Sequence, residues 1–277
     1  MQVIGIGLSN IDLVAHVRDD FLIKHKAVKG APRKFDDLAF ARLRAELPQY
    51  DAIPGGCAAN TVCGMAAYGV PARFYGKIGE DSFESLYRAS FADYTVAYDV
   101  PAGSEESSQC AVLVTPDGER TFVYTHGASW DLQAGDIDTD LIATADMIVS
   151  EIYMFEFGQN AEVAKLVFET AQQKKTPLTM KAMDQDFGRR YAQKIRALGD
   201  ANILDLLVGN HENLPSITGT TSLDDTLQAY KDWKCDVLLT ANAGGAYFVS
   251  GGEVKHYAVE PVKNPRNTTG AGDQFLA

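Results

Sequence analysis

Near its end the sequence reads NTTGAGDQFLA (residues 267–277), where three residues with little or no side chain, Gly270, Ala271 and Gly272, stand directly before an acid, Asp273. A Gly-Ala-Gly loop entering a helix leaves several amide N–H groups unpaired and pointing one way, at the positive end of the helix dipole. Such a loop attracts a phosphate or a developing oxyanion. A carboxylate next to it can accept the proton of an attacking hydroxyl, the part an aspartate plays in phosphoryl transfer. Read alone, the run also fits a glycine turn with an acid in the first helical turn, which needs no ligand.

Two further stretches suit a hydroxyl-rich partner. In PGGCAAN, Gly55 and Gly56 let a ligand approach the backbone, and Asn60, about one turn into the helix that follows, offers both a donor and an acceptor. By itself Asn60 reads more simply as a helix-surface or capping residue. In GLSNIDL (7–13), Asn10 and Asp12 share one face of an extended chain at the end of the first strand, where parallel sheets place ligands. The other reading of that pair is a turn that satisfies local amides. Gly5 and Gly7 begin a GxGxxG pattern, but Asn10 stands at the third glycine, so the fingerprint of a dinucleotide-binding dehydrogenase fails. GxxxxGK[ST], HExxH and GxSxG do not occur, which argues against a P-loop NTPase, a zincin and an α/β-hydrolase.

The elements that must carry these residues follow from the apolar rhythm. QVIGI (2–6) predicts a short buried strand, LVAHV (13–17) a second one, and ARFYGKIG (72–79) another after the small-residue helix that follows Gly56. CAVLV (110–114) and RTFVY (120–124) flank TPDGE, a hairpin signal. Beyond it, DMIVSEIYM (146–154), PLTMK (177–181), ILDLLVG (203–209) and DVLLTA (236–241) are apolar runs separated by helix-like segments. The clearest of these is NAEVAKLVFETAQQKK (160–175). This alternation predicts a single α/β domain over 1–277, a central mostly parallel sheet with helices on both faces. Residues 13–50 and 96–126 break the rhythm and are expected to form a small separate β-sheet.

Lys plus Arg number 25 against 37 Asp plus Glu, giving a formal net charge of −12. A surface this acidic repels phosphate backbones and anionic lipid, so neither nucleic acid nor membrane is an expected partner. Any phosphate must be held locally, by amides and a few placed cations. Cys57, Cys63, Cys110 and Cys235 make no zinc-ligand spacing and suit reduced thiols. The sequence has no basic leader and no run of about 18 apolar residues, so a cytoplasmic protein is expected; a monomer or a homodimer is expected without a residue that decides between them.

In this order, these pieces resemble the ribokinase-like (PfkB) family of ATP-dependent carbohydrate and nucleoside kinases, over nearly the whole chain. GLSNID is similar to its N-terminal substrate motif, PGGCAAN to its GGxxxN signature, TPDGERT to a lid hairpin and NTTGAGD to its DTxGAGD signature. The resemblance implies a β-sheet lid closing over the acceptor and transfer of the γ-phosphoryl group of ATP, with Mg²⁺ bridging phosphate oxygens and a monovalent cation admitted. It implies Asp273 as base, the amides of Gly270, Ala271 and Gly272 as anion hole, and Asn10, Asp12, Gly55, Gly56 and Asn60 around the acceptor. Asn210, Thr240, Gly245 and, from the hairpin, Arg120 would serve the nucleotide. DDFLIKHKAVKG (19–30) resembles the approach to the lid in adenosine-kinase-like members, whereas the Asn10/Asp12 spacing is more like ribokinase; the acceptor is a nucleoside or a sugar.

The sequence also departs from the family. NHEN replaces NxxE, so Asn210 matches, but Asn213 stands where the acid belongs and Glu212 is one place early. On a helix that shift turns the carboxylate by about 100°. Asn267 replaces the first acid of DTxGAGD, Asn242 the first glycine of a TxGxxG nucleotide loop, and Lys181 ends a strand where relatives carry Asp or Asn. A ligand-binding or regulatory relative that keeps the fold without turnover is the alternative these positions raise. In the family GAGD opens a long helix, so a further part of the domain is expected after Ala277.

Overall fold

The computed structural model describes residues 1–156, 159–260, 262 and 270–277. Its strands are β1 (Val3–Ile6), β2 (Asn10–His16), β3 (Pro32–Lys34), β4 (Tyr50–Gly55), β5 (Ala72–Tyr75), β6 (Ser108–Val114) and β7 (Arg120–Thr125). After these come β8 (Met147–Glu151), β9 (Leu178–Ala182), β10 (Leu206–Asn210), β11 (Asp236–Thr240), β12 (Ala246–Ser250) and β13 (Glu253–Tyr257). Among the described residues they make two sheets, one of eight strands in the order β13-β12-β11-β10-β9-β8-β1-β5 and one of five in the order β3-β7-β6-β2-β4.

From β5 to β11 every neighbouring pair in the large sheet is parallel, and β12 and β13 add an antiparallel edge. Both faces of this sheet are buried. Ile4 and Ile6 join Ile148, Leu178 and Met180 in one core, under the helices Gln159–Lys174 and Gln185–Asp200. Val3, Phe74 and Val149 turn the other way, toward α3 (Cys57–Ala67) and the helix Glu84–Asp93. The continuous apolar runs have this cause: each residue of an inner strand meets one helical layer or the other.

The second sheet differs in kind. Along β2 burial alternates, with Ile11, Leu13 and Ala15 fully covered and Asn10, Asp12 and Val14 half-covered. The covered row packs with Ala111, Leu113 and Val123 against Leu22 of α1 (Asp19–Lys24) and Phe40 and Leu43 of α2 (Asp37–Glu46). The half-covered row is left to face the site.

Several boundaries differ from the expectation. The second strand starts at Asn10 rather than 13, because Asn10 and Ile11 pair with Ser108 and Gln109 on one side and with Gly55 and Pro54 on the other. The second half of the polar GLSNID motif is therefore strand. The strand expected over 72–79 ends at Tyr75, and the apolar run 146–154 splits into β8 and a 3-10 turn, Ile152–Phe155. The hairpin of β12 and β13 has no strong apolar alternation and is not predicted from the sequence; its outer strand is mostly exposed. The residues of NHEN after Asn210 form a hydrogen-bonded turn rather than a helix, with the helix beginning only at Leu214.

Candidate functional site

The parallel strands end together on polar residues. Glu151 closes β8, Lys181 is next to last in β9 and pairs with it, Asn210 closes β10, and Thr240 closes β11 opposite Asn210. A parallel sheet opens to ligands at these carboxyl ends, where strand backbone gives way to loop and helix amides.

Asp273 lies in the terminal helix Ala271–Leu276, which packs on α3. The approach is close because α3 offers Gly64: a Cβ there would lie 2.6 Å from the Ala277 Cβ. This contact buries Asp273, which is 7% exposed. Its Oδ2 accepts a hydrogen bond from Asn60 Nδ2 at 2.9 Å, and its Oδ1 is ion-paired with the Lys181 ammonium. Lys181 Nζ also donates to Thr61 Oγ1 at 3.0 Å, and Thr61 Oγ1 donates to the Cys57 carbonyl at 2.9 Å. A carboxylate 213 residues away in sequence is thus gripped by one amide and one cation.

Gly270 caps the terminal helix in the left-handed region at φ 76°, and its carbonyl accepts from the Asp273 and Gln274 amides. The Ala271 and Gly272 amides have no acceptor among the described residues, and the space beside Gly272 is open. On the second sheet, Asn10 Nδ2 donates to Asp12 Oδ1 at 2.6 Å. Gly55 leaves room for that carboxylate, since a Cβ there would lie 2.9 Å from Asp12 Oδ2. Burial raises the Asp12 carboxyl to about 6, the Asn10 hydrogen bond opposing it and the charge of Asp273 adding to it. Asp12, Cys110 and Tyr124 stand in one cross-strand row, so a thiol and an aromatic ring share its face of the second sheet.

Glu151 has a structural part that no local sequence pattern assigns to it. It is 1% exposed, and its two oxygens accept the Leu8 amide at 2.7 Å and the Ala58 amide at 3.0 Å, tying the Asn10 loop to the start of α3. The signal was an acid closing an apolar run, MIVSE, just where a parallel strand should end. Burial raises its carboxyl to about 7, against the two amide hydrogen bonds and Lys181. Being raised above its unfolded value of 4.5, the group gives stability that is complete below that pH and lost as pH rises through about 7. We predict that Glu151→Gln, which satisfies only one of the two amides, costs about 1–3 kcal/mol by urea unfolding. The cost should be larger at pH 5 than at pH 8; an equal cost at both would disprove the linkage.

The nucleotide-side residues are more spread out. Asn210 Oδ1 accepts the Glu212 and Asn213 amides at 3.0 and 2.8 Å, so it shapes its own turn, and Glu212 points outward, exposed. Thr240 leads into the 3-10 turn Asn242–Gly244. Asn242 has φ 48°, the left-handed region that asparagine tolerates best after glycine. Gly245 is required by packing: a Cβ there would lie 2.2 Å from the Tyr257 carbonyl oxygen. Arg120 opens β7 four register positions from Tyr124, on the Asp12 face of the second sheet. Asn267 lies outside the described residues.

The site therefore brings together Asn10, Asp12, Gly55, Asn60, Lys181 and Asp273, with Asn210 and Thr240 along the neighbouring strand ends. The pfkB family carbohydrate kinase model matches residues 29–277. Fructokinase-1 of Oryza sativa subsp. japonica is 26% identical over 254 residues, 84% of this chain and 74% of the relative. Ribokinase of Arabidopsis thaliana is 24% identical over 241 residues, 81% of this chain and 60% of the relative. The crystal structure of adenosine kinase from Sinorhizobium meliloti superposes with a TM-score of 0.92 at 22% identity, covering 99% of this chain and 85% of that one, a likeness of fold.

Proposed function

This chain belongs to the pfkB family of carbohydrate kinases, phosphotransferases with an alcohol group as acceptor, and we propose that it transfers the γ-phosphoryl group of ATP to a primary hydroxyl of a nucleoside or sugar with Asp273 as general base. The observation that carries the reading is the 2.9 Å contact between Asn60 and Asp273, which joins the acceptor-side helix to the acid of the terminal loop. Asn10, Asp12 and Asn60 hold the acceptor hydroxyls. Asp273 takes the proton of the attacking hydroxyl as its oxygen bonds to the γ-phosphorus and the bond to the β-phosphate oxygen breaks, releasing ADP.

The amides of Gly270, Ala271 and Gly272 meet the negative oxygens of the group in transit, aimed by the backbone before reaction and so without reorganisation cost. Asn210, Thr240 and Gly245 line the nucleotide side, with Arg120 reaching in from the second sheet. That sheet acts as a lid: its Asp12 face closes over the acceptor and excludes water, which would otherwise compete for the phosphoryl group. Mg²⁺ enters with ATP as part of that substrate, held by phosphate oxygens and water; among the described residues no cluster of three acids, histidines or cysteines could cage it. Tyr124, in the row of Asp12, favours an acceptor with a planar ring, hence an adenosine-like nucleoside over a bare sugar. No helix among the described residues is long and apolar enough to cross a membrane.

The test is incubation with MgATP and a panel of adenosine, other nucleosides, ribose, fructose and phosphorylated sugars, following ADP. Formation of ADP that depends on one acceptor is expected. Tight binding of an acceptor with no ADP formed would instead identify a ligand-binding protein and overturn the proposal.

A further inference from the structure

Lys181 is the most unusual residue of the site. It is 3% exposed, and its ammonium has two partners, the Asp273 carboxylate and Thr61 Oγ1. Two acids stand beside it, Asp273 on the terminal helix and Glu151 at its register position on β8, and Asp12 on β2 lies within electrostatic reach of Asp273. The remaining titratable group facing Asp273 is the Cys57 thiol of α3, which burial and these acids hold well above its ordinary value. The neighbouring strand β10 (Leu206–Asn210) carries no titratable side chain. Lys181 is therefore the one cation among three carboxyls in this part of the described site.

We propose that Lys181 is a positioning residue for phosphoryl transfer: it keeps Asp273 ionised among the other acids and, with Asn60, fixes its carboxylate toward the acceptor. This rests on the reading of Asp273 as the base. Carboxyls within electrostatic reach of one another repel, and the cheapest relief is for one to take up a proton. A protonated Asp273 could not receive another from the acceptor. The ammonium supplies the opposing charge, and Thr61, held by the Cys57 carbonyl, sets where that ammonium sits. Once Asp273 has accepted the proton, the charge on Lys181 is left uncompensated in the same dry site, which favours the arriving phosphoryl oxygens.

The test compares Lys181→Met, Lys181→Arg and the parent. In Lys181→Met kcat should fall on the order of 100-fold while the acceptor KM stays within about threefold, because the acceptor hydroxyls are held elsewhere. The acid limb of its kcat/KM profile should move to higher pH, and Lys181→Arg should recover much of both. An unmoved acid limb, or a loss confined to KM, would overturn the inference. A second arm needs no turnover: with carboxyl-¹³C aspartate, the resonance lost in Asp273→Asn should take up its proton at higher pH in Lys181→Met than in the parent. Unchanged behaviour of that resonance sinks the role of Lys181 even if the chain proves to be a binder. Failure of every acceptor in the panel sinks the kinase reading instead and leaves this arm intact.

Discussion

Asp273→Ala is expected to abolish ADP formation and to destabilise the protein, and adding Lys181→Met is expected to return the stability without the activity. Removing the base from a hydroxyl-activating site costs about 10²–10⁴-fold in rate. The cost in stability comes from the partner left behind. The Lys181 side chain is 4% exposed, so in the single variant a buried ammonium would keep only Thr61 Oγ1. Breaking a buried pair from one side costs about 3–5 kcal/mol, whereas replacing both members by apolar or small groups is often nearly neutral. The double variant should therefore unfold in urea close to the parent while remaining inactive. A single variant as stable as the parent would mean that Lys181 finds water or another acid at once, and that the pair is not closed off from solvent.

How much of this could be read in the sequence depends on the kind of signal. The apolar runs of β8 to β11 gave the parallel sheet because each inner strand must satisfy two helical layers. β12 and β13 were missed because an edge hairpin with a mostly exposed outer strand carries no such constraint. PGGCAAN and GAGD were legible as loops, since they lack side chains where backbone must come close. The partners of Asp273 were not. Asn60 and Thr61 stand more than 200 residues away, and Lys181 belongs to a third element, so their meeting is decided by packing of the terminal helix on α3 and by the register of β9. In the sequence Lys181 stands out as an exception to a family pattern; only the fold shows that it faces the candidate base. Glu151 escaped for a related reason: its amide partners, Leu8 and Ala58, come from two loops that no local pattern connects.

Gly56→Ala should be among the most damaging single methyls in the protein, costing about 3 kcal/mol or more in unfolding free energy and weakening acceptor binding with it. Gly56 caps α3 at φ 118° and ψ 127°, a conformation closed to residues with a side chain, and an added Cβ would lie 2.2 Å from the Leu8 carbonyl oxygen. Neither atom can yield cheaply: the Gly56 carbonyl accepts the Asn60 amide at 2.8 Å, and the Leu8 amide is held by Glu151. Relief must come from moving the loop that leads into Asn10 or the first turn that carries Asn60, and both residues hold the proposed acceptor. Gly69→Ala separates the two contributions, because Gly69 also has a positive φ, 84°, but nothing lies within 4 Å of its Cβ position. It should cost only the backbone part, about 1 kcal/mol, and leave acceptor titrations by calorimetry unchanged. Equal losses from the two variants would show that backbone strain alone, rather than the close passage of Leu8 over Gly56, fixes the geometry of the acceptor side.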